Sequence, residues 1–274
     1  MPWTSESGNS YNLCLLDTNA ISEILKNPLV EGKGFIKCFP PSMHVPCFTI
    51  YNLIELRRSD DVYKKFLSFF SIYPIFLIKT QSMILKEEIK AYDSENEISV
   101  LFNAFTPLGK NDSYNLEEFI DSLFLNSELS KLESTWRSFE NETLKSWISN
   151  KGNFEVTSKD PNSIDAEKYI EQAGLQTLIG MEMDWCKDKI GHKIVPDINK
   201  FPSIKIMLYS LYYRLYDQSW KVTPGEVTDI LITSVVPYVD VYITEKFQAN
   251  IASKIKKKVY NLEKVSIKRI RDIR

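Results

Sequence analysis

"YNLCLLDTNAISEILKN", residues 11–27, sets an unbroken apolar run directly against a carboxylate. Leu13 to Leu16 carry no polar alternation, which is the pattern of a short strand buried on both faces. Asp17 ends the run, and Asn19 opens a short helix, AISEILKN, which Asn27–Pro28 stops. A carboxylate at the end of a buried strand is expensive unless it is paired, hydrogen-bonded or metal-bound. Its meaning therefore depends on whether other acids arrive at the same place.

Outward from that run the rhythm repeats. VPCF (45–48) reads as a second strand, and Thr49 fits the N-cap of IYNLIELRR, with Ile50, Leu53 and Ile54 on one face. A helix over 61–71 leads to a third strand, PIFLIK (74–79), and Thr80 fits the cap of SMILKEEIKAY. The order β-α-β-α-α-β-α predicts a mostly parallel sheet with helices on both faces. Residues 93–222 change character: LEEFIDSLFLNSELSKLESTWRSF, DAEKYIEQAGLQTLIGMEMDWCKDKI and SIKIMLYSLYYRLY are amphipathic, separated by breakers at Pro107–Gly109, Gly152–Asn153, Pro161, Gly191 and Pro202. This middle reads as an almost wholly helical insertion. MEMDWCKDK within it fits an ordinary half-buried helix better than a cofactor box. The β/α rhythm returns with the helix TPGEVTDILITSVV, where Thr223 and Glu226 form a capping box and Pro237 is the stop. VDVYIT (239–244), the helix KFQANIASKIKK and a last strand within VYNLEKVSI complete the pattern. The expected fold is α/β: a three-layer α/β/α sandwich built from residues 1–92 and 223–274, carrying a helical insertion over 93–222.

Composition narrows the function. A chain of 274 residues, 43% hydrophobic and 26% charged, has the make-up of a soluble globular protein, one large domain or two small ones. Cys14, Cys38, Cys47 and Cys186 form no CxxC pair, and His44 and His192 are the only histidines, which argues against zinc. MPWTSESGNSYN has neither the basic nor the apolar region of a signal peptide. FLSFFSIYPIFLI (66–78) falls short of the roughly 20 apolar residues a membrane helix needs. A cytoplasmic protein without membrane contact is expected. Charge is uneven: residues 93–222 hold 14 Lys+Arg against 21 Asp+Glu, and residues 254–274 hold 9 against 2. A basic tail can engage phosphates whatever the net charge.

Glu245 follows the strand 239–244 as Asp17 follows 13–16. In an open parallel sheet ligands bind beyond the carboxyl ends of the strands. Glu55, in the helix after the second strand, and Asp229, in the helix before the strand 239–244, are placed to lean over the same edge. Four carboxylates in one cleft repel one another unless a cation neutralises them. Without His or Cys nearby, the hard cations Mg²⁺ and Mn²⁺ suit such oxygen ligands. Asp240 starts its strand, about four residues at ~3.3 Å each from that edge, and Glu226 serves the capping box; both are left structural.

These residues carry a family resemblance. "LCLLDTNAIS" resembles the opening strand and turn of PIN-domain ribonucleases, which read apolar–Asp–Thr/Ser–Asn/Ser. "FTIYNLIELRR" resembles their next segment, with an acid on a helix, and "VTDILITSVVPYVDVYITEKF" is similar to their C-terminal block. The resemblance covers residues 11–92 and 223–265 and leaves the helical middle unmatched; Glu245 stands where Asp is commoner. It implies that Asp17, Glu55 and Asp229 hold Mg²⁺ or Mn²⁺, with Glu245 completing the pocket or supporting a second ion. It also implies polar support from Asn19 and Thr244, and no obligatory His or Lys base. The reaction implied is hydrolysis of RNA phosphodiesters by metal-activated water, one ion or a pair serving.

Each acid has a plainer role open to it. Asp17 fits an N-cap, Glu55 a solvated helix position, and Asp229 and Glu245 the first turns of helices. The basic tail, with Lys254, Lys256, Lys257, Lys258, Lys264, Lys268, Arg269 and Arg271, suits an RNA backbone. The alternative is a catalytically weak or inactive PIN-like scaffold whose acidic insertion binds a protein partner. Resembling proteins include toxins neutralised by antitoxins, commonly much shorter than this chain, and PIN-like proteins often form homodimers.

Overall fold

The apolar run ending on Asp17 forms a central strand because helices cover both of its faces. The computed structural model describes residues 3–4, 10–94, 96–107, 115–151, 163–216 and 222–273. In it β1 (Trp3–Thr4) lies antiparallel on β2 (Ser10–Leu16), whose residues Leu13 to Leu16 are all buried. With β3 (His44–Thr49), β4 (Ile75–Ile78), β5 (Leu101–Phe105), β6 (Val241–Thr244) and β7 (Ser266–Arg269) the sheet runs β5-β4-β3-β2-β6-β7. Every pairing along this order is parallel except β4 with β5.

The helices follow from the crossovers. α1 (Thr18–Lys26) leads from β2 towards β3, beyond α2 (Lys33–Cys38); α3 (Ile50–Arg57) and α4 (Asp60–Phe70) lead from β3 to β4. Right-handed crossovers put α1 and α4 on one face, where they touch. After β4 come α5 (Gln81–Ser94), α6 (Leu116–Phe124), α7 (Ser127–Asn150), α8 (Ile164–Met181), α9 (Met183–Gly191), α10 (Pro202–Tyr216) and α11 (Gly225–Thr233). The step from β6 to β7 runs the other way along the sheet, so α12 (Lys246–Lys254) falls on the opposite face, against α10. The fold is α/β, consistent with a three-layer sandwich plus a helical region. Among the described residues no helix is long and apolar enough to cross a membrane.

The middle of the chain holds one element that the sequence reading did not foresee. Leu101–Phe105 is a strand, not helix, and extends the sheet antiparallel at its edge. The stretch hid because an edge strand is half wetted: Asn103 and Ala104 are exposed and Phe105 is buried, so no clean apolar run appears. α10 is built into the core: every residue in it but Lys205 and Tyr216 is buried, and it packs on α5, α8, α11 and α12. The two longest amphipathic stretches each divide, at Leu125–Asn126 and at Glu182, into separate helices. The last strand begins at Ser266, so it takes Lys268 and Arg269 out of the supposed tail. The breakers at Gly109, Gly152, Asn153 and Pro161 lie outside the described residues.

Candidate active site

Register places the first and last of the four acids. Leu16 pairs with Ile243 across β2 and β6, and the Asp17 N–H continues the ladder to the Ile243 carbonyl at 3.1 Å. Asp17 therefore stands level with Thr244 where both strands end. Its Oδ1 accepts the Ala20 N–H at 2.6 Å, making it the N-cap of α1. Its Oδ2 accepts from the Thr244 hydroxyl and from the Glu245 N–H, the latter at 3.3 Å. Cap and rim acid are thus the same residue. Burial raises its pKa from 3.8 to about 6, against the pull of these bonds and with a push from Glu245.

Glu55 is aimed by its helix cap. Thr49 and Asn52 form a reciprocal capping box at the start of α3: the Asn52 N–H donates to the Thr49 hydroxyl and Asn52 Oδ1 accepts the Thr49 N–H at 2.8 Å. Asn52 Nδ2 then donates to the Leu16 carbonyl (3.4 Å) and to the Thr18 hydroxyl (3.1 Å), which ties α3 to the end of β2. The Thr18 hydroxyl donates to Glu55. Burial raises the Glu55 pKa to about 7, with Glu140 and Asp17 pushing the same way and Arg58 opposing.

Asp229 sits on α11 with its side chain 20% exposed. Its pKa is held well above the ordinary value, by burial first and then by Asp17, with Glu55 and Glu245 adding to the push and Arg214 opposing. All four predicted acids therefore share one electrostatic environment at the carboxyl rim of the sheet. Among the described residues no three acid, His or Cys side chains come close enough to enclose one ion.

Two further charged residues belong to this environment, and both come from the supposed insertion. Glu140 of α7 accepts the Thr228 hydroxyl at 2.7 Å and Arg58 Nη2 at 3.2 Å. Arg214 of α10, 1% exposed, reaches Glu226 at 3.3 Å, Gln248 at 2.9 Å and Asp229 at 3.9 Å. Neither follows a strand or carries a motif, so no local signal marks them. Thr18 and Asn52 did leave signals: the residue after the strand-end acid, and the third helical position after Thr49. Asn19, the expected support, is exposed, and Thr18 makes the contact instead. Thr244 is where it was expected.

The basic residues divide between the two edges of the sheet. Lys268 and Arg269 pair in register with Ile243 and Thr244, level with the acids, and Arg269 forks onto Asp272 at 2.8 Å. Arg271 follows, exposed. α12 starts at the rim and runs away from it by about 13 Å at ~1.5 Å per residue. Lys254, over the Tyr213 ring, ends it there. Lys256, Lys257, Lys258 and Lys264 line a cavity of about 1270 Å³ with Asp240, at the edge where the strands begin. Asp240 itself accepts the Leu13 N–H at 2.9 Å, the structural role expected of it. Compared with known proteins, the chain matches no protein-family model, no curated protein and no solved structure.

Proposed function

We propose that the chain is a PIN-like nuclease that hydrolyses RNA phosphodiesters with Mg²⁺ or Mn²⁺ held by Asp17, Glu55 and Asp229, Glu245 standing beside them. The observation that supports this reading is the meeting of four acids from four separated parts of the chain at one rim, where burial, with their mutual repulsion added to it, raises the pKa of Asp17, Glu55 and Asp229. Carboxylates arranged to resist ionisation leave a demand for positive charge that Lys268 and Arg269 do not meet from exposed positions.

The donor set fits a hard cation in kind, being oxygen only. Mg²⁺ keeps most of its waters and commonly takes one or two carboxylates, so an enclosing cage of three is not required. A bound ion would lower the pKa of its water and stabilise charge on the attacked phosphate. The chain's own residues do the positioning. Thr244, Ala20 and the Glu245 N–H hold both Asp17 oxygens, Thr18 aims Glu55, and Arg214 steadies Asp229. Lys268 and Arg269 give the phosphate backbone a cationic approach to the rim.

The test is cleavage of labelled single-stranded RNA with Mg²⁺ or Mn²⁺, with chelator and Asp17→Asn as controls. Cleavage that needs the ion and is lost in the variant supports the reading; cleavage unchanged in Asp17→Asn refutes it. A second reading, a weak or inactive scaffold that binds a protein partner through residues 93–222, is favoured by the lack of a three-acid cage among the described residues. It requires a folded chain that neither takes up Mn²⁺ nor cuts RNA.

A further inference from the structure

We propose that Arg214 is a built-in cation of the acid site, occupying the role of a second divalent ion, so that the rim accepts one ion and not a pair. This rests on the metal reading above and specifies its stoichiometry.

The guanidinium lies among acids and is 1% exposed, far from the solvated position arginine normally takes. Each of its nitrogens faces a side-chain oxygen: Nε donates to Glu226 at 3.3 Å, Nη1 donates to the Gln248 side-chain oxygen at 2.9 Å, and Nη2 forms an ion pair with Asp229 at 3.9 Å. Its Cζ lies 5.3 Å from the centre of the Phe247 ring, on the helix that Glu245 caps. Gln248 is fixed in turn by its bond to Ser210, one turn earlier on α10 (3.3 Å). At 1% exposure the guanidinium is shut away from a phosphate, so Arg214 is a positioning residue.

A two-ion nuclease site clamps the attacking and leaving oxygens between metals about 3.5–4 Å apart, and the two positive charges must be offset by carboxylates, shared or separate. Here Asp229, one of the three principal ligands, and Glu226 already face a fixed positive charge. A second divalent ion beside Asp229 would meet that charge at close range in a poorly solvated place, where repulsion is strong. Among the described residues neither Asp17 nor Glu55 has a cation within ion-pair distance, Arg58 acting on Glu55 from farther off, and both remain for one ion. The arginine comes from α10, in the part of the chain with no PIN resemblance, so this chain supplies from its middle what a second ion would otherwise bring.

The test is a count of bound ions. Mn²⁺ is titrated by calorimetry into the full-length wild type, Arg214→Lys and the double variant Arg214→Met with Glu226→Gln, each checked for folding by circular dichroism. Removing both members of the buried pair avoids leaving a lone charge in the interior. Expected are one ion for wild type and for Arg214→Lys, and two for the double variant. Two ions in wild type, or one in the folded double variant, overturn the inference while leaving the metal reading intact. A folded wild type that binds none overturns the metal reading itself. Should the double variant not fold, Arg214→Gln is titrated in its place against the same expectation of two.

Discussion

Asp17→Asn separates a structural cap from an acid kept for function. At pH 7 the Asp17 carboxyl is ionised in both folded and unfolded chains, but its pKa is about 6 in the fold against an ordinary 3.8. That difference corresponds to about 3 kcal/mol by which ionisation disfavours the folded state. Asparagine removes the charge and keeps the shape. One side-chain oxygen can still accept the Ala20 N–H, and the Thr244 hydroxyl can turn to accept from the new amide. The Glu245 N–H, at 3.3 Å, loses its acceptor, at roughly 1 kcal/mol. The net expectation is a gain of about 2 kcal/mol, or roughly 4–8 °C in Tm for a chain of this size class. The assay is calorimetric unfolding at pH 7 in excess chelator, repeated near pH 4. The gain should shrink at the lower pH, where the wild-type carboxyl takes up its proton in the fold. An Asp17→Asn protein less stable than wild type at pH 7 refutes the reasoning, since Asp17 would then be a stabilising N-cap and no stored charge.

The same linkage sets the pH profile of the ion-free protein. Asp17, Glu55 and the buried Glu88 all have folded pKa values raised, to about 6, 7 and 7, so the fold binds more protons than the unfolded chain between about pH 5 and 7. Stability should therefore fall as pH rises from 5 to 7; urea titrations showing a rise over that interval contradict it. Trp136 of α7 is fully buried, stacks on Tyr51 at 4.9 Å and donates to Thr228 at 3.2 Å. Trp136→Ala should lower unfolding free energy by about 3–5 kcal/mol, and a loss under 1 kcal/mol by urea unfolding would show that α7 is not anchored there. Lys268→Glu, at the acid rim, should weaken binding of fluorescent RNA to the Asp17→Asn protein more than Lys257→Glu at the far edge does. Equal or reversed losses in anisotropy would mean that RNA does not approach by the rim.

The local order of the sequence determined the frame. Apolar runs at 13–16 and 45–48, within 74–79 and within 239–244 specify strands buried on both faces, because such strands have little to offer water. Capping residues marked where α1 and α3 begin, and the strand-end positions of Asp17 and Glu245 marked the edge at which chemistry would gather. What the sequence could not disclose were interactions between parts of the chain far apart along it. β5 became visible only beside β4, since an edge strand wetted on one side carries no run. The basic tail divided only when β7 took its register on β6, which sent Lys268 and Arg269 to one edge and left Lys256 to Lys258 at the other. Arg214 and Glu140 reached the acid rim only through the packing of α10 and α7 against α11. A buried charge is placed by the partners that compensate it, and for these two residues the partners lie 12 to 88 positions away along the chain.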